Sequence, residues 1–246
     1  MKRVLAIFLG AVASVIAMSA AQAALIVNYQ PSFGSSENTG ATATATFSFS
    51  TYGEVGDPVF GASSIDVLLS ISLTNTTPTP PTTATIVGFA SNIPAPPGPI
   101  TVNNYDAGTS GFDTFLLDDG FNGNGGNTWG AAFDVCVRTG DANNCSGGNP
   151  QSGLAKGESG TLYFGFDTDM TAAEVEAAFL TMFTDAACPS AIRVQQVSGA
   201  TSGGTSDKIC GRLTTDSGGE LPEPGVLALL GLGILGFATS RRRRRV

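Results

Sequence analysis

Of 246 residues, 12 are Lys or Arg, 20 are Asp or Glu, and none is His. Without histidine, no Ser-His-Asp or Cys-His mechanism and no His-ligated zinc, haem or copper site can be assembled from this chain. Seven cations lie near the ends (Lys2, Arg3, Arg241, Arg242, Arg243, Arg244 and Arg245), so residues 24–220 hold five cations against nineteen acids, a net −14 that repels phosphate backbones and argues against nucleic-acid binding.

Lys2 and Arg3 open the chain, residues 4–18 are apolar, and Ala21-Gln22-Ala23 is a small-x-small cleavage pattern. This is the layout of a secretory signal peptide over residues 1–23, with a mature chain beginning near Ala24. Export sets the redox context for Cys136, Cys145, Cys188 and Cys210, whose even count reads as two disulfides. Local pairing, Cys136–Cys145 and Cys188–Cys210, is expected, because Gly-, Asn- and Ser-rich stretches separate each pair and can fold back. A zinc site competes weakly, since no Cys-x-x-Cys spacing and no histidine is present.

The middle of the chain reads as β. In residues 41–50, Ala41, Ala43, Ala45, Phe47 and Phe49 alternate with Thr and Ser, the period of a half-buried strand. In residues 65–73, Ile65, Val67, Leu69, Ile71 and Leu73 face one way. Leu68 interrupts the polar face and asks for a covering loop. Prolines on both sides of residues 85–90 predict a short edge strand between rigid connectors. Further strands are predicted at 113–117, 129–137, 160–166 and 192–197, separated by Gly- and Asn-rich turns.

One helix stands out. Thr171 with Glu174 three residues on is a capping box, and Val175, Phe179, Leu180 and Phe183 line one face. Asp167 and Asp169 precede its N-terminus, where the helix dipole favours negative charge. Seven or eight strands and one helix over residues 24–219 predict a mainly β domain. The expected form is a β-sandwich, jelly-roll or Ig/cohesin-like, with one short helix; a barrel is the alternative.

Chemistry is sparse. Asp118 with Asp119 in a Gly/Asn turn, and Asp167 with Asp169, are weak candidate Ca²⁺ ligands. A solvated turn and helix capping account for them more simply. Trp129, Tyr105, Tyr163 and Phe121 are candidates for stacking on sugar rings, with core packing the simpler fate of Trp129. Nineteen acids permit many carboxylate pairs for glycoside hydrolysis and single out none. No catalytic residue and no cofactor is expected.

Residues 221–246 have a distinct plan. Pro222-Glu223-Pro224 cannot extend a helix and presents extended backbone. Residues 225–240 follow as an apolar helix of roughly 24 Å, short for a hydrocarbon core of about 30 Å. Arg241 to Arg245 can snorkel to headgroups and orient the tail towards the cytoplasm. Gly225, Gly231, Gly233 and Gly236 let this helix pack closely on another.

This order of Pro-Glu-Pro, apolar transmembrane helix and arginine cluster resembles the PEP-CTERM sorting signal of Gram-negative bacteria, here placed at residues 220–246. The resemblance implies transient engagement at the inner membrane by an exosortase, a membrane-embedded protease-transpeptidase that cuts the tail. It also implies a cell-surface or extracellular protein associated with exopolysaccharide, biofilm and matrix components. A non-enzymatic surface protein is therefore the leading expectation. A carbohydrate-binding β-sandwich module is the alternative, and a secreted glycoside hydrolase is less favoured.

Overall fold

The structure is a computed structural model and describes residues 24–61, 64–95, 98–119, 121, 132–141, 144–200 and 203–213. The predicted signal peptide (1–23) and the predicted tail (220–246) lie outside these residues. Eleven strands and one α-helix are described: β1 (Leu25–Tyr29), β2 (Ala43–Thr51), β3 (Val67–Asn75), β4 (Thr83–Ser91), β5 (Thr101–Asp106), β6 (Thr114–Asp119), β7 (Phe133–Arg138), β8 (Leu154–Ala155), β9 (Ser159–Asp167), α1 (Ala172–Asp185), β10 (Ser190–Ser198) and β11 (Asp207–Leu213). The domain is mainly β with one helix, as expected.

The strands do not divide into separate sheets. They form one antiparallel sheet in the order β5-β9-β3-β2-β1-β11-β10-β4-β7-β6, with β8 paired to β4. The sheet curls until its two end strands meet. Tyr105 of β5 stacks on Phe115 of β6 with ring centroids 5.2 Å apart, and the Tyr105 hydroxyl donates to the Phe112 carbonyl at 2.7 Å. The result is a nearly closed, barrel-like sheet, whose ends meet through side chains instead of separate sheets packed face to face.

The period-two pattern explains which side of the sheet is inside. Ala43, Ala45, Phe47 and Phe49 of β2 are buried, and so are Val67, Leu69, Ile71 and Leu73 of β3, directly opposite them in register or nearly so. Phe47 reaches across the interior to Phe89 of β4, their rings 6.1 Å apart. Helix α1 covers this interior, with Phe179 against Phe49 at 5.0 Å and Phe183 against Phe47 at 5.1 Å. Leu68 is buried on the other face, and Ile65, expected to face with Val67, lies on Leu68's face instead, over the register partner Gly165.

Three local expectations are corrected. β4 is central, held by β10 on one side and by β7 and β8 on the other, and eight of its nine residues are buried. Pro78, Pro80, Pro81, Pro94 and Pro99, which suggested an edge, lie outside the strand and occupy no ladder position. Leu180 is 46% exposed, because one step past Phe179 turns it about 100° away from the stripe of Val175, Phe179 and Phe183. β1, β5, β8 and β11 are strands beyond those predicted; β1 and β8 are short, at five and two residues, and β5 is largely polar.

Candidate functional site

On the outer face, cross-strand register assembles two neighbouring rows. The first runs Leu116, Cys136, Ala90, Ala191 and Cys210 across β6, β7, β4, β10 and β11. Residues directly opposite one another project to the same side of a sheet, so these side chains form a small second core with Phe121, Phe133 and Cys145. Both expected disulfides form, Cys136–Cys145 and Cys188–Cys210. They anchor near the two ends of this one row.

The second row lies two residues further along each strand and is cationic. Arg138 of β7 is opposite Gly88 of β4, Gly88 is opposite Arg193 of β10, and Arg193 is opposite Lys208 of β11. Three of the five cations in residues 24–220 thus share one line. Gly88 is needed where the line crosses β4: a Cβ there would come within 3.0 Å of the Phe121 ring and 3.2 Å of the Val137 carbonyl oxygen. The Phe121 ring therefore fills the gap between the two arginines.

The three cations are held differently. Arg138 is buried, and its Nε and Nη1 donate to the carbonyls of Thr139 and Asn144 at 3.2 and 2.9 Å. Gly147 packs so closely on the same guanidinium that a Cβ would lie 2.6 Å from Nη1. Arg193 is half-buried, yet its Nε and Nη1 are fully enclosed and have no hydrogen-bond partner among the described residues. Burial, and secondarily Arg138, push the Arg193 pKa down. Burial and then Arg193 likewise depress the Lys208 ammonium, with Glu37 acting the other way.

Next to this row lies a carboxylate hub. Asp207 is buried, and its Oδ1 and Oδ2 accept from the Ser35, Ser36 and Thr39 hydroxyls and from the backbone N–H groups of Ser36, Glu37, Thr39 and Lys208, at 2.8–3.1 Å. Asp207 ties loop 35–39 to β11, and because it lies opposite Val194 its side chain leaves the sheet on the other face from Arg193 and Lys208. The bonded residues are about 170 apart in sequence, so nothing local announces the hub.

The residues singled out from sequence are dispersed. Asp118 and Asp119 end β6 instead of sitting in a turn; Asp118 is exposed with φ +52°, and Asp119 accepts from the Cys145 N–H at 3.1 Å. Asp167 ends β9 and accepts from the Asn103 amide at 3.2 Å, while Asp169 is exposed. Among the described residues, no three His, Cys, Asp or Glu side chains gather closely enough to hold a metal ion. Phe121 is buried in the outer-face cluster, Tyr105 and Tyr163 are half-buried, and Trp129 lies outside the described residues.

A groove of about 840 Å³ runs between α1 and residues 92–95, walled by Ile93, Ala178 and Met182 with Asp134 and Glu174 at its sides. Both carboxylates are engaged. Asp134 accepts from the Ile93 N–H at 2.7 Å. Glu174 closes the capping box with Thr171, and the Thr171 backbone and hydroxyl hold its carboxyl below the usual range. That is the reverse of what a general acid requires.

Pro222, Glu223, Pro224 and the arginines 241–245 lie outside the described residues, so the tail is decided by its sequence. Residues 220–244 match the family model of the PEP-CTERM protein-sorting motif. This chain carries a PEP-CTERM sorting motif. The PEP-CTERM motif is the exosortase recognition signal and implies export and sorting to the cell surface in Gram-negative bacteria. No curated protein and no solved structure matches the chain. The PEP-CTERM assignment therefore describes about 25 residues, and the chemistry of the β domain has to be argued from its own side chains.

Proposed function

We propose that this PEP-CTERM protein is a non-enzymatic component of the cell surface or extracellular matrix, associated with exopolysaccharide and biofilm. In this reading it is exported by its N-terminal signal, held briefly at the inner membrane by residues 225–240, and cut near Pro222-Glu223-Pro224 by an exosortase. The match of residues 220–244 to the sorting motif carries the reading. Two features support it. The paired cysteines suit an oxidising destination, and a chain without histidine lacks the commonest general acid-base group.

The sugar-binding alternative has lost part of its support, because Phe121, one of the aromatics proposed to stack on sugars, is buried in the outer-face cluster. The test of the sorting reading is Pro222→Ala/Pro224→Ala in the native host. The variant should accumulate in the membrane fraction with its full tail mass, while wild type is shortened. Equal mature mass and equal release for both would overturn the reading.

A further inference from the structure

We infer that the cationic row on the outer face is a binding site for an oxyanion group, such as a carboxylate, sulfate or phosphate. Arg193 carries the argument. A guanidinium stays charged at any physiological pH, and with Nε and Nη1 sealed in and unpaired its charge has no compensation inside the protein; an anion meeting the solvent-open part of the side chain supplies it. The other arginines show what completion looks like: Arg138 donates to two carbonyls, and Arg212 donates to the Ala187 carbonyl at 3.2 Å while lying over the Phe33 ring.

Arg193 has instead a like charge directly opposite it. Lys208 faces it in register, an arrangement that destabilises a sheet when nothing negative lies between. Asp207, adjacent to Lys208 in sequence, lies opposite Val194 and projects from the other face of the sheet, so it does not come between them. A third cation, Arg138, sits across Gly88 on the same line, roughly 10 Å from Arg193 by strand spacing. Placing three cations together in a domain with a net −14 opposes its overall charge, and an oxyanion between Arg193 and Lys208 removes the conflict.

The surroundings are built for this. The Phe121 ring lies over Gly88, the residue between Arg138 and Arg193 on this line, and keeps that part of the row dry, which strengthens a charge-assisted hydrogen bond. The disulfide-linked segments reach the row at its two ends, near Arg138 and near Lys208. Arg193 and Lys208 remain partly open to solvent, so a ligand has a way in. The site is independent of the sorting tail, and neither reading depends on the other.

The test uses the purified mature protein, titrated with sodium glucuronate, sodium sulfate and sodium phosphate at constant ionic strength, with chloride as the control. Wild type should bind at least one of the three saturably, with a rising Tm. Arg193→Met should weaken that binding about tenfold or more, and Lys208→Gln should weaken it several-fold. A response to glucuronate alone assigns the site to a carboxylate of the kind found on acidic sugars; a response to sulfate or phosphate assigns it to inorganic oxyanions. Without added anion, Arg193→Met should be at least as stable as wild type, since it removes an unpaired buried charge.

No oxyanion raising the wild-type Tm above the chloride control would overturn the site. So would an Arg193→Met protein that titrates as wild type does, or one that is strongly destabilised while Lys208→Gln still binds like wild type.

Discussion

The two faces of the curled sheet are built by different rules. The inner face is a continuous apolar surface in which Phe47, Phe89, Phe179 and Phe183 meet, and the contributions of β2 and β3 are written in their own alternation. The outer face under β7, β4, β10 and β11 carries a narrow apolar row, two disulfides and a cation line. Its order exists only when four strands that are distant in sequence come into register. The inner face holds the fold together, and the outer face carries a line of cations that would be unstable in the interior.

This contrast can be broken most directly at Phe47. It is fully buried and touches rings from β4 and from α1 at two points. Phe47→Ala removes a large side chain from a core that cannot collapse around it, and should cost about 3–5 kcal/mol in denaturant unfolding of the oxidised protein. A loss under about 1 kcal/mol would show that the inner face is not the main source of stability.

The outer face should yield smaller, graded losses through its cross-links. The two bridges close loops of sequence separation 22 and 9. In the chain-entropy model, Cys188→Ala/Cys210→Ala should cost roughly 3.4 kcal/mol and Cys136→Ala/Cys145→Ala roughly 2.6 kcal/mol. Paired urea titrations of the two double variants give the ranking. The reverse order would mean that the Cys136–Cys145 bridge matters mainly by shaping loop 144–147 over Arg138, a native-state effect beyond loop closure.

The same contrast sets what was legible in the sequence. Residues 43–51 and 67–75 announce their strands because one face must be apolar and the other wet. The Thr171–Glu174 box announces the start of α1 because its groups lie three residues apart. The local disulfide pairing was readable for the same reason of short range. The centrality of β4 was hidden, since a strand covered on both faces loses its alternation and the prolines beside it point the wrong way. The cation line and the Asp207 hub were unreadable in principle: Arg138, Arg193 and Lys208 are neighbours only through register, and Asp207 finds its donors about 170 residues away.

The smallest effect tests whether the inner face depends on a purely local signal. Thr171 accepts from the Glu174 N–H at 3.3 Å, and Glu174 accepts from the Thr171 N–H at 2.8 Å. Thr171→Ala removes one acceptor at an exposed helix end and should cost about 1 kcal/mol. The pH dependence has a defined sign. The Glu174 carboxyl titrates lower in the folded chain than in the unfolded one, so its contribution is complete above the unfolded value and is lost as pH falls through the lowered folded value. Thr171→Ala should therefore flatten the acid side of the Tm-against-pH profile while leaving the neutral side merely shifted. If the loss at neutral pH approaches that of Phe47→Ala, the cap is not a local ornament: starting α1 at Thr171 would then be what sets Phe179 and Phe183 into the interior, and the inner face would depend on a three-residue motif as much as on its apolar strands.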